Sequence, residues 1–587
     1  MSSAIHLPAR SRAAGPVRPS AVTAVVCLAL AAVVAAMSSL NVALPEIARA
    51  THATQTQLAW IIDAYSLVFA SLLLPAGAIG DRYGRRRALI AGLSIFGVGS
   101  AVAMTAHSAA ELIGLRAVLG LGAALVMPAT LSTITGTFAS EQRARAVSTW
   151  AAVAGGAAVL GLLTSGLVLE VWSWPAVFGL NVVLAAAAIA GTLRFVPESA
   201  EPGAARLDVS GAILAVIGLV ALVYSIIEAP DHGWGSARTL AGLAAGLAVL
   251  AGFVVWERHR RHPMLDPRVF ARRALAAGSL SVFVQFFALF GFIFIVLQCL
   301  QLVRGDSGLV SALSMLPMAA AMQPAARLAP ALAARLGART ACAAGLALMA
   351  AALVVLAQLN ETSGYWLLAA GLVPLGAGLG LAMPPATSGI TSALPASQQG
   401  VGSALNDLSR ETGGAVGIAV LASVLTAAYS SHLHLAGLPA AQASAARSSV
   451  AVAARLGGAA AAQARTAFAD GMHLTLLIAA GIMVIAAIAV AILLRGHDRA
   501  PAETPAPAGA PASARPDARA EAPEVGRCDD AGHGFAPPDA EGSSRPQVGA
   551  HELRAAPFHP GVQPVMVADL GCRSARAASP ADHLLAN

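Results

Sequence analysis

The chain has no lysine; all 37 of its basic residues are arginine. In so alanine-rich a sequence this reads as the codon bias of a GC-rich bacterial genome, not as chemistry. Charge of either sign is scarce, 11% of residues, where a soluble domain carries about 25%. That deficit excludes a charge-covered soluble fold. With 57% hydrophobic residues and a mean hydropathy of +0.71, the chain belongs in lipid. Cysteine is also sparse: three of the five (Cys27, Cys299, Cys342) lie in apolar runs, and Cys528 and Cys572 lie near the C-terminus. No CxxC or Cys/His ligand spacing occurs, so neither a disulfide framework nor a metal site is expected. HExxH, GxSxG and P-loop motifs are missing, as is any soluble catalytic domain. No enzyme, no nucleotide-driven pump and no cofactor are expected.

What the chain does have is apolar length. A helix needs about 20 apolar residues to cross the hydrocarbon core. By that rule fourteen spans are predicted, near 21–44, 58–79, 88–107, 112–137, 146–169, 174–194, 209–228, 239–256, 275–299, 308–331, 340–359, 364–386, 401–427 and 472–494. The first follows a basic start (Arg10, Arg12, Arg18) and exceeds the 7–15 apolar residues of a signal peptide, so it is expected to stay as a span. If residue 1 is cytoplasmic, the cytoplasmic loops hold Arg82, Arg85, Arg86, Arg87, Arg143, Arg145, Arg194, Arg206, Arg258, Arg260, Arg261, Arg268, Arg272, Arg273, Arg335 and Arg339. The opposite loops hold only Arg49, Arg238, Arg304, Arg447, Arg455 and Arg465. That positive-inside bias predicts both termini in the cytoplasm, and it explains the net charge of +7 without a nucleic-acid partner. The segment 428–471 is expected to form helices on the outer face, and the Pro/Ala/Gly-rich stretch from about 500 onward to be disordered.

An internal repeat is visible. GDRYGRRRALIAG (80–92) and AARLGARTACAAG (333–345) match at Arg82/Arg335, Gly84/Gly337, Arg86/Arg339, Ala88/Ala341, Ala91/Ala344 and Gly92/Gly345. Both segments join an even span to the next odd one. Transporters built from repeats leave this kind of weak internal similarity. The offset pairs spans 1–6 with spans 9–14 and makes spans 7 and 8 an insertion.

GAIGDRYGRRRALIAG (77–92) resembles the loop 2–3 motif of the major facilitator superfamily, with Gly77, Asp81, Arg82, Gly84, Arg85 and Arg86 at its positions. NVALPEI after span 1, WIIDAYSL (60–67), RAVLGLGAALVMPA (116–129), LVYSIIEAPDHGW (222–234), RHPMLDPRVF (261–270) and GSALNDLSRETGGAVG (402–417) are similar to the fourteen-span drug:proton antiporter branch. The resemblance covers roughly residues 20–495. It implies an all-α membrane fold of two six-helix bundles plus two inserted helices, bounded here as 1–20 (cytoplasmic), 21–194, 195–274 (linker with the inserted pair), 275–494 and 495–587 (disordered cytoplasmic tail). It also implies a monomer in a bacterial inner membrane, exchanging protons for an amphipathic drug, antibiotic or secreted metabolite. A facilitator or importer of a small metabolite is the alternative within transport, and a membrane signalling protein the alternative outside it. Three places depart from the branch: Ala36 replaces its span 1 aspartate, GLLTSG (161–166) replaces GPxxGG with Leu162 and Ser165, and Leu119 replaces a glutamine.

Several residues are candidates for the chemistry. The loop motif, with its second-half counterpart Arg335, Gly337 and Arg339, is implied by the resemblance to be a cytoplasmic latch whose arginines pair with acids or helix ends of the neighbouring bundle; the plain alternative is a topology anchor. Arg116 lies inside span 4, where a cation requires a cavity or partner. In the family it is linked to proton coupling, and the alternative is snorkelling to the outer headgroups. Asp63 lies inside span 2 and is the first-half candidate for carrying a proton, against an interfacial aspartate. Asp407 and Glu411, at helical spacing with Arg410 between them, either join in proton coupling or pair locally at the cytoplasmic mouth. Gly155, Gly156, Gly161 and Gly166 would let span 5 pack closely at the interface of the halves. Met127, Pro128, Phe286, Phe287, Phe290, Phe292 and Phe294 either line an apolar cavity or pack and face lipid.

Overall fold

The computed structural model describes residues 19–495, apart from 139, 201–207, 261–262, 395–398, 434, 436 and 437. The tail beyond 495, Arg206, Arg261 and nearly all of the 1–20 segment lie outside these residues. Within them the chain is helical, with no strand. The helices are α1 (Pro19–Thr51), α2 (Gln55–Tyr83), α3 (Arg85–Ala103), α4 (Ala109–Thr137), α5 (Ser140–Val171), α6 (Pro175–Phe195), α7 (Val209–Ile227), α8 (Ala229–His232), α9 (Ala237–His259), α10 (Arg273–Gln298), α11 (Gly308–Ser314), α12 (Leu316–Leu336), α13 (Ala338–Leu356), α14 (Tyr365–Ser392), α15 (Gln399–His432), α16 (Ala440–Ser448), α17 (Val450–Arg455) and α18 (Gly458–Leu493). Fourteen segments are long and apolar enough to cross a membrane, with α10 extended by a π-turn and the tenth segment formed by α11 and α12 together.

All fourteen spans fall where the apolar runs place them, and the ends that move furthest belong to α1 and α18. α1 runs on through Pro45 to Thr51, and the chain reverses at His52, whose φ is +54°. α18 begins at Gly458, not at 472. The run GAAAAQARTAFADG is too polar to count as a span, yet alanine makes it a strong helix former. The segment before it supplies the short helices α16 and α17. Tyr429 Oη bonds the Ala446 carbonyl at 2.8 Å, and Arg455 donates to the Arg49 carbonyl at 2.6 Å.

The packing repeats. In the first half α1 lies on α5, α4 and α6, α2 on α4, and α3 on α4 and α6. In the second half α10 lies on α15, α14 and α18, α12 on α14, and α13 on α14 and α18. Glycines at equivalent places make the tightest crossings. A Cβ at Gly92 would stand 2.8 Å from the Gly122 carbonyl, and one at Gly345 would stand 2.7 Å from the Gly378 carbonyl. A Cβ at Gly120 would stand 2.5 Å from the Tyr65 carbonyl, and one at Gly376 would fall on that of Met318. Without a hydrophobic force between helices in lipid, such close backbone approach is what holds a bundle. The phenylalanines of α10 join this scaffold: Phe286, Phe287, Phe292 and Phe294 are buried, and Gly413 and Gly417 of α15 press on the Phe283 and Phe287 carbonyls.

The inserted pair, α7 and α9, packs on itself, and α7 touches both α2 and α15 where the halves meet. Trp60 of α2 donates to Glu228 at 2.9 Å, and Ser423 of α15 donates to the Ile226 carbonyl at 2.6 Å. At the other end Asp208 caps α7 through the Gly211 amide and accepts from the Trp256 indole at 3.0 Å. Burial pushes the Asp208 carboxyl up, but these bonds and the Arg260 guanidinium outweigh it and hold the group below its usual value.

The seam between halves is closed at the end where α1 turns into α2. Gln301 donates to the Val42 carbonyl at 3.0 Å. A Cβ at Gly166 of α5 would stand 2.8 Å from Leu309 Cα of α11. Gly155 lies eleven residues before Gly166, three helical turns, so the two share a face about 16 Å apart. A Cβ at Gly155 meets nothing within 4 Å. The same face of α5 is therefore sealed on α11 at one end and open toward the Gly84 end. Gly161 serves a different contact, against Ala35 and Ser38 of α1.

Two outcomes follow from these contacts. Gly120→Val must push α2 and α4 apart and should cost about 1–3 kcal/mol or more, whereas Gly156→Ala, with nothing within 4 Å, should gain about 0.5–1 kcal/mol. Thermal unfolding in detergent distinguishes them. In a cysteine-free background, Gly155→Cys should react with an impermeant thiol reagent from the same side of the membrane as Tyr83→Cys, and Gly166→Cys should not react. Reaction of Gly155→Cys from the opposite side would contradict the observed opening.

Candidate functional site

Arg116 lies in the second turn of α4, about 10 Å from its start. It does not reach outward to headgroups: the residue is 1% exposed. Its Nε donates to the Ile61 carbonyl of α2 at 2.9 Å, and its Cζ stands 4.2 Å from the centre of the Tyr65 ring. Nη2 is buried without a hydrogen-bond partner. The cation thus rests on α2, on one carbonyl and one aromatic face, with no carboxylate within ion-pair distance. Tyr65 is itself fully buried, and its hydroxyl donates to the Val33 carbonyl of α1 at 3.2 Å.

Asp63 is equally buried, at 0% exposure. Neither of its carboxylate oxygens has a hydrogen-bond partner. Ile61 and Tyr65 are four residues apart and share the face toward α4. Asp63, two residues from each, points to the opposite side of the helix. The two charges that the sequence suggests for the first half are therefore separated by α2 itself.

On α15, Arg410 bridges both acids, 3.6 Å from Asp407 and 3.0 Å from Glu411. This is the local pairing that the spacing allows. The three are not equivalent, however. Asp407 and Arg410 keep partial exposure, while Glu411 is buried, and its Oε2 has no partner. The helix that carries Glu411, α15, packs on α2, which carries Tyr65.

The loop motif closes on its own half. Gly84 has φ +117°, which links α2 to α3 in a turn closed to side chains. Asp81 pairs with Arg85 at 2.9 Å. Arg86 donates to the Leu193 carbonyl at the end of α6, and its amide donates to Glu198. Glu198 also lies 3.6 Å from Arg87, and its carboxylate fills the space a Gly84 Cβ would take. Gly77 packs on Pro128, and Arg82 lies exposed at the end of α2 beside Tyr83. In the second half Gly337, φ +85°, repeats the turn. Among the described residues Arg335 and Arg339 there have no hydrogen-bond or ion-pair partner.

Two residues of this site went unrecognised in the sequence. Glu198 follows a helix end in PES, and the acid beside a basic loop was the available clue. Tyr65 lies in WIIDAYSL, where an aromatic in an apolar run gave no sign that it carries a cation. Among the described residues no group of His, Cys, Asp and Glu could hold a metal.

Comparison with known proteins agrees with this architecture. The profile of the Major Facilitator Superfamily matches residues 26–418. The multidrug efflux pump LfrA of Mycolicibacterium smegmatis is 34% identical over 82% of this chain and 97% of its own. The methyl viologen resistance protein SmvA of Salmonella typhimurium is 32% identical over 71% of this chain and 85% of its own. The multidrug resistance protein Stp of Mycobacterium tuberculosis is 34% identical over 66% and 72%. Among solved structures, a bacterial homologue of the lysosomal transporter Spinster superposes with a TM-score of 0.57 at 17% identity, covering 81% of this chain and 97% of that one. At that identity the likeness speaks for the fold alone. The family match runs from the first half well into the second, and a relative one-third identical is spanned nearly end to end; the chain is a multi-pass membrane transporter and belongs to the major facilitator superfamily.

Proposed function

We propose that this transporter exports amphipathic, antibiotic-like compounds across a bacterial inner membrane in exchange for protons, as a monomer with both termini in the cytoplasm. The observation that carries the reading is Asp63, wholly buried with both carboxylate oxygens unpartnered. An anion buried without a partner is expensive, whereas a protonated carboxyl is not. A group of this kind takes up a proton in one state and releases it when the surroundings change. Arg116, a buried cation without an ion pair, and Glu411, with one free oxygen, are the other members of the coupling set, and Asp407 holds Arg410 at its edge. The exporter direction rests on relatives named for efflux and resistance. The arginine-rich loops support a cytoplasmic Gly84 end, and in this reading a compound enters beside Gly155, where a Cβ meets nothing within 4 Å. The halves then rock about the seam to expose it on the other side.

Within this scheme the loop motif, Gly77, Asp81, Arg82, Gly84, Arg85 and Arg86, fixes the end of α2 against α3 and α6, and Glu198 is its acid. Arg335, Gly337 and Arg339 are the counterpart whose cations stand unpaired in this state. Gly166 seats α5 on α11 of the other half, Gly155 lies on the same face where nothing stands within 4 Å, and Gly161 seats the helix on α1, while Gly156 meets nothing within 4 Å.

In inside-out vesicles with an acid interior, an amphipathic cation or neutral drug should collapse the pH gradient, and Asp63→Asn should abolish the collapse with protein level unchanged. A gradient that survives every compound, with the protein present, would favour a metabolite facilitator, the reading that Ala36 in span 1 also suits. Glu198→Gln should slow transport about two- to fivefold, the scale of a partly exposed charge contact. An unchanged rate would remove Glu198 from the gate.

A further inference from the structure

The repeat gives each first-half residue a counterpart, and this isolates Tyr65. The carbonyl that meets Gly120 of α4 belongs to Tyr65, and the one that meets Gly376 of α14 belongs to Met318. The residue four before Gly120 is Arg116, and the residue four before Gly376 is Leu372. The backbone contact is thus duplicated, but the side chains upon it change as a pair. Where there is a cation there is an aromatic ring beneath it, and where there is a leucine there is a methionine. A tyrosine kept only to fill space would not be expected to change together with its neighbour in this way.

We propose that Tyr65 is the positioning residue of the coupling apparatus, its ring being the seat on which the Arg116 guanidinium is held inside the membrane. The Ile61 carbonyl takes one of the guanidinium hydrogens at 2.9 Å, and the ring lies 4.2 Å away. Nη2 has nothing else. An aromatic face carries negative potential, and a cation over it is held strongly where water is excluded. The ring is seated by its backbone, which is pressed on Gly120, and its hydroxyl adds a bond to the Val33 carbonyl of α1. Tyr65 therefore fixes where the first half presents its positive charge, on the side of α2 away from Asp63. This inference rests on the proton-coupled reading above.

The test replaces residue 65 of the full chain, in proteoliposomes, by phenylalanine and by phenylalanines bearing one, two and three ring fluorines. Fluorine drains the ring face while hardly changing its size, so all four variants should fold. Proton flux driven by a substrate of the wild type gives turnover and the half-saturating concentration. Phe should stay near the wild type, and turnover should fall stepwise with fluorine number, to about tenfold below Phe for the trifluoro ring. The half-saturating concentration should change little, since a loss confined to turnover marks a step after binding. Tyr65→Met, which keeps bulk without a ring face, should behave like the trifluoro variant, and Arg116→Gln should make it no worse, since the two act as one unit. A flat fluorine series in an active protein would overturn the assignment of Tyr65 alone, and so would a Phe variant as slow as the trifluoro one. Absence of proton flux in the wild type would overturn the coupling reading and this assignment with it.

Discussion

The structure depends on backbones that touch. In lipid, helices gain nothing by hiding apolar side chains from one another, so the contact has to come from close approach. Here it comes from glycines facing carbonyls: Gly92 and Gly122, Gly120 and Tyr65, and then Gly345 and Gly378, Gly376 and Met318. Each half is pinned by the same two crossings. A side chain at any of these points would have to displace backbone, which cannot yield as a flexible side chain can. The rest follows from that rigidity. The halves can move as bodies, the seam between them can open at one end and close at the other, and buried charges can be kept at fixed places.

Those charges are distributed unequally over an otherwise duplicated frame. Asp63, Tyr65 and Arg116 belong to the first half; at Tyr65 and Arg116 the second half has Met318 and Leu372, and two residues before Met318 stands Leu316. The second half instead puts its charge on α15, where Arg410 is shared by Asp407 and Glu411. The loop motif shows the same asymmetry. Its first copy is anchored by Asp81, Arg85, Arg86 and Glu198, while its second keeps the glycine turn and leaves Arg335 and Arg339 unpaired. Duplication preserved what the backbone needs and released what the chemistry needs.

Much of this was legible because membrane insertion writes itself in composition. Twenty apolar residues announce a span, arginine-rich loops announce an orientation, and the Gly84/Gly337 correspondence announced the repeat before any packing was known. Arg116 and Asp63 drew notice because charge is rare inside a span. What stayed hidden was pairwise. The sequence could not show that Asp63 and Arg116 point to opposite sides of α2, since their contact depends on where α4 crosses. Tyr65 looked like any aromatic in an apolar run. The 458–471 stretch was expected to be helical but not to run unbroken into the last span, as it does in α18, because propensity and lipid solubility are separate properties. The four glycines of α5 read as one packing stripe, but two meet helices and two meet open space.

The tight crossings also constrain how a change of state can reach the residues proposed to couple. Arg116 stands four residues, one helical turn, from Gly120, and the Tyr65 carbonyl that Gly120 touches belongs to the residue whose ring holds the cation. α2 and α4 cannot slide past each other there without breaking a backbone contact, so the cation and its seat travel together. A signal to Arg116 must then come from outside that pair of helices. Two routes exist in the structure. One is α1, which packs on α4 and meets α2; the other is α15, which packs on α2 and carries the buried Glu411. α15 belongs to the second half. Under the proposed exchange, a change of charge at Glu411 reaches α2 without movement inside the first half, and rearrangement of the halves reaches it without any change of charge. The same contact can therefore be driven from either side, which is the reciprocity that exchange of one solute for another requires.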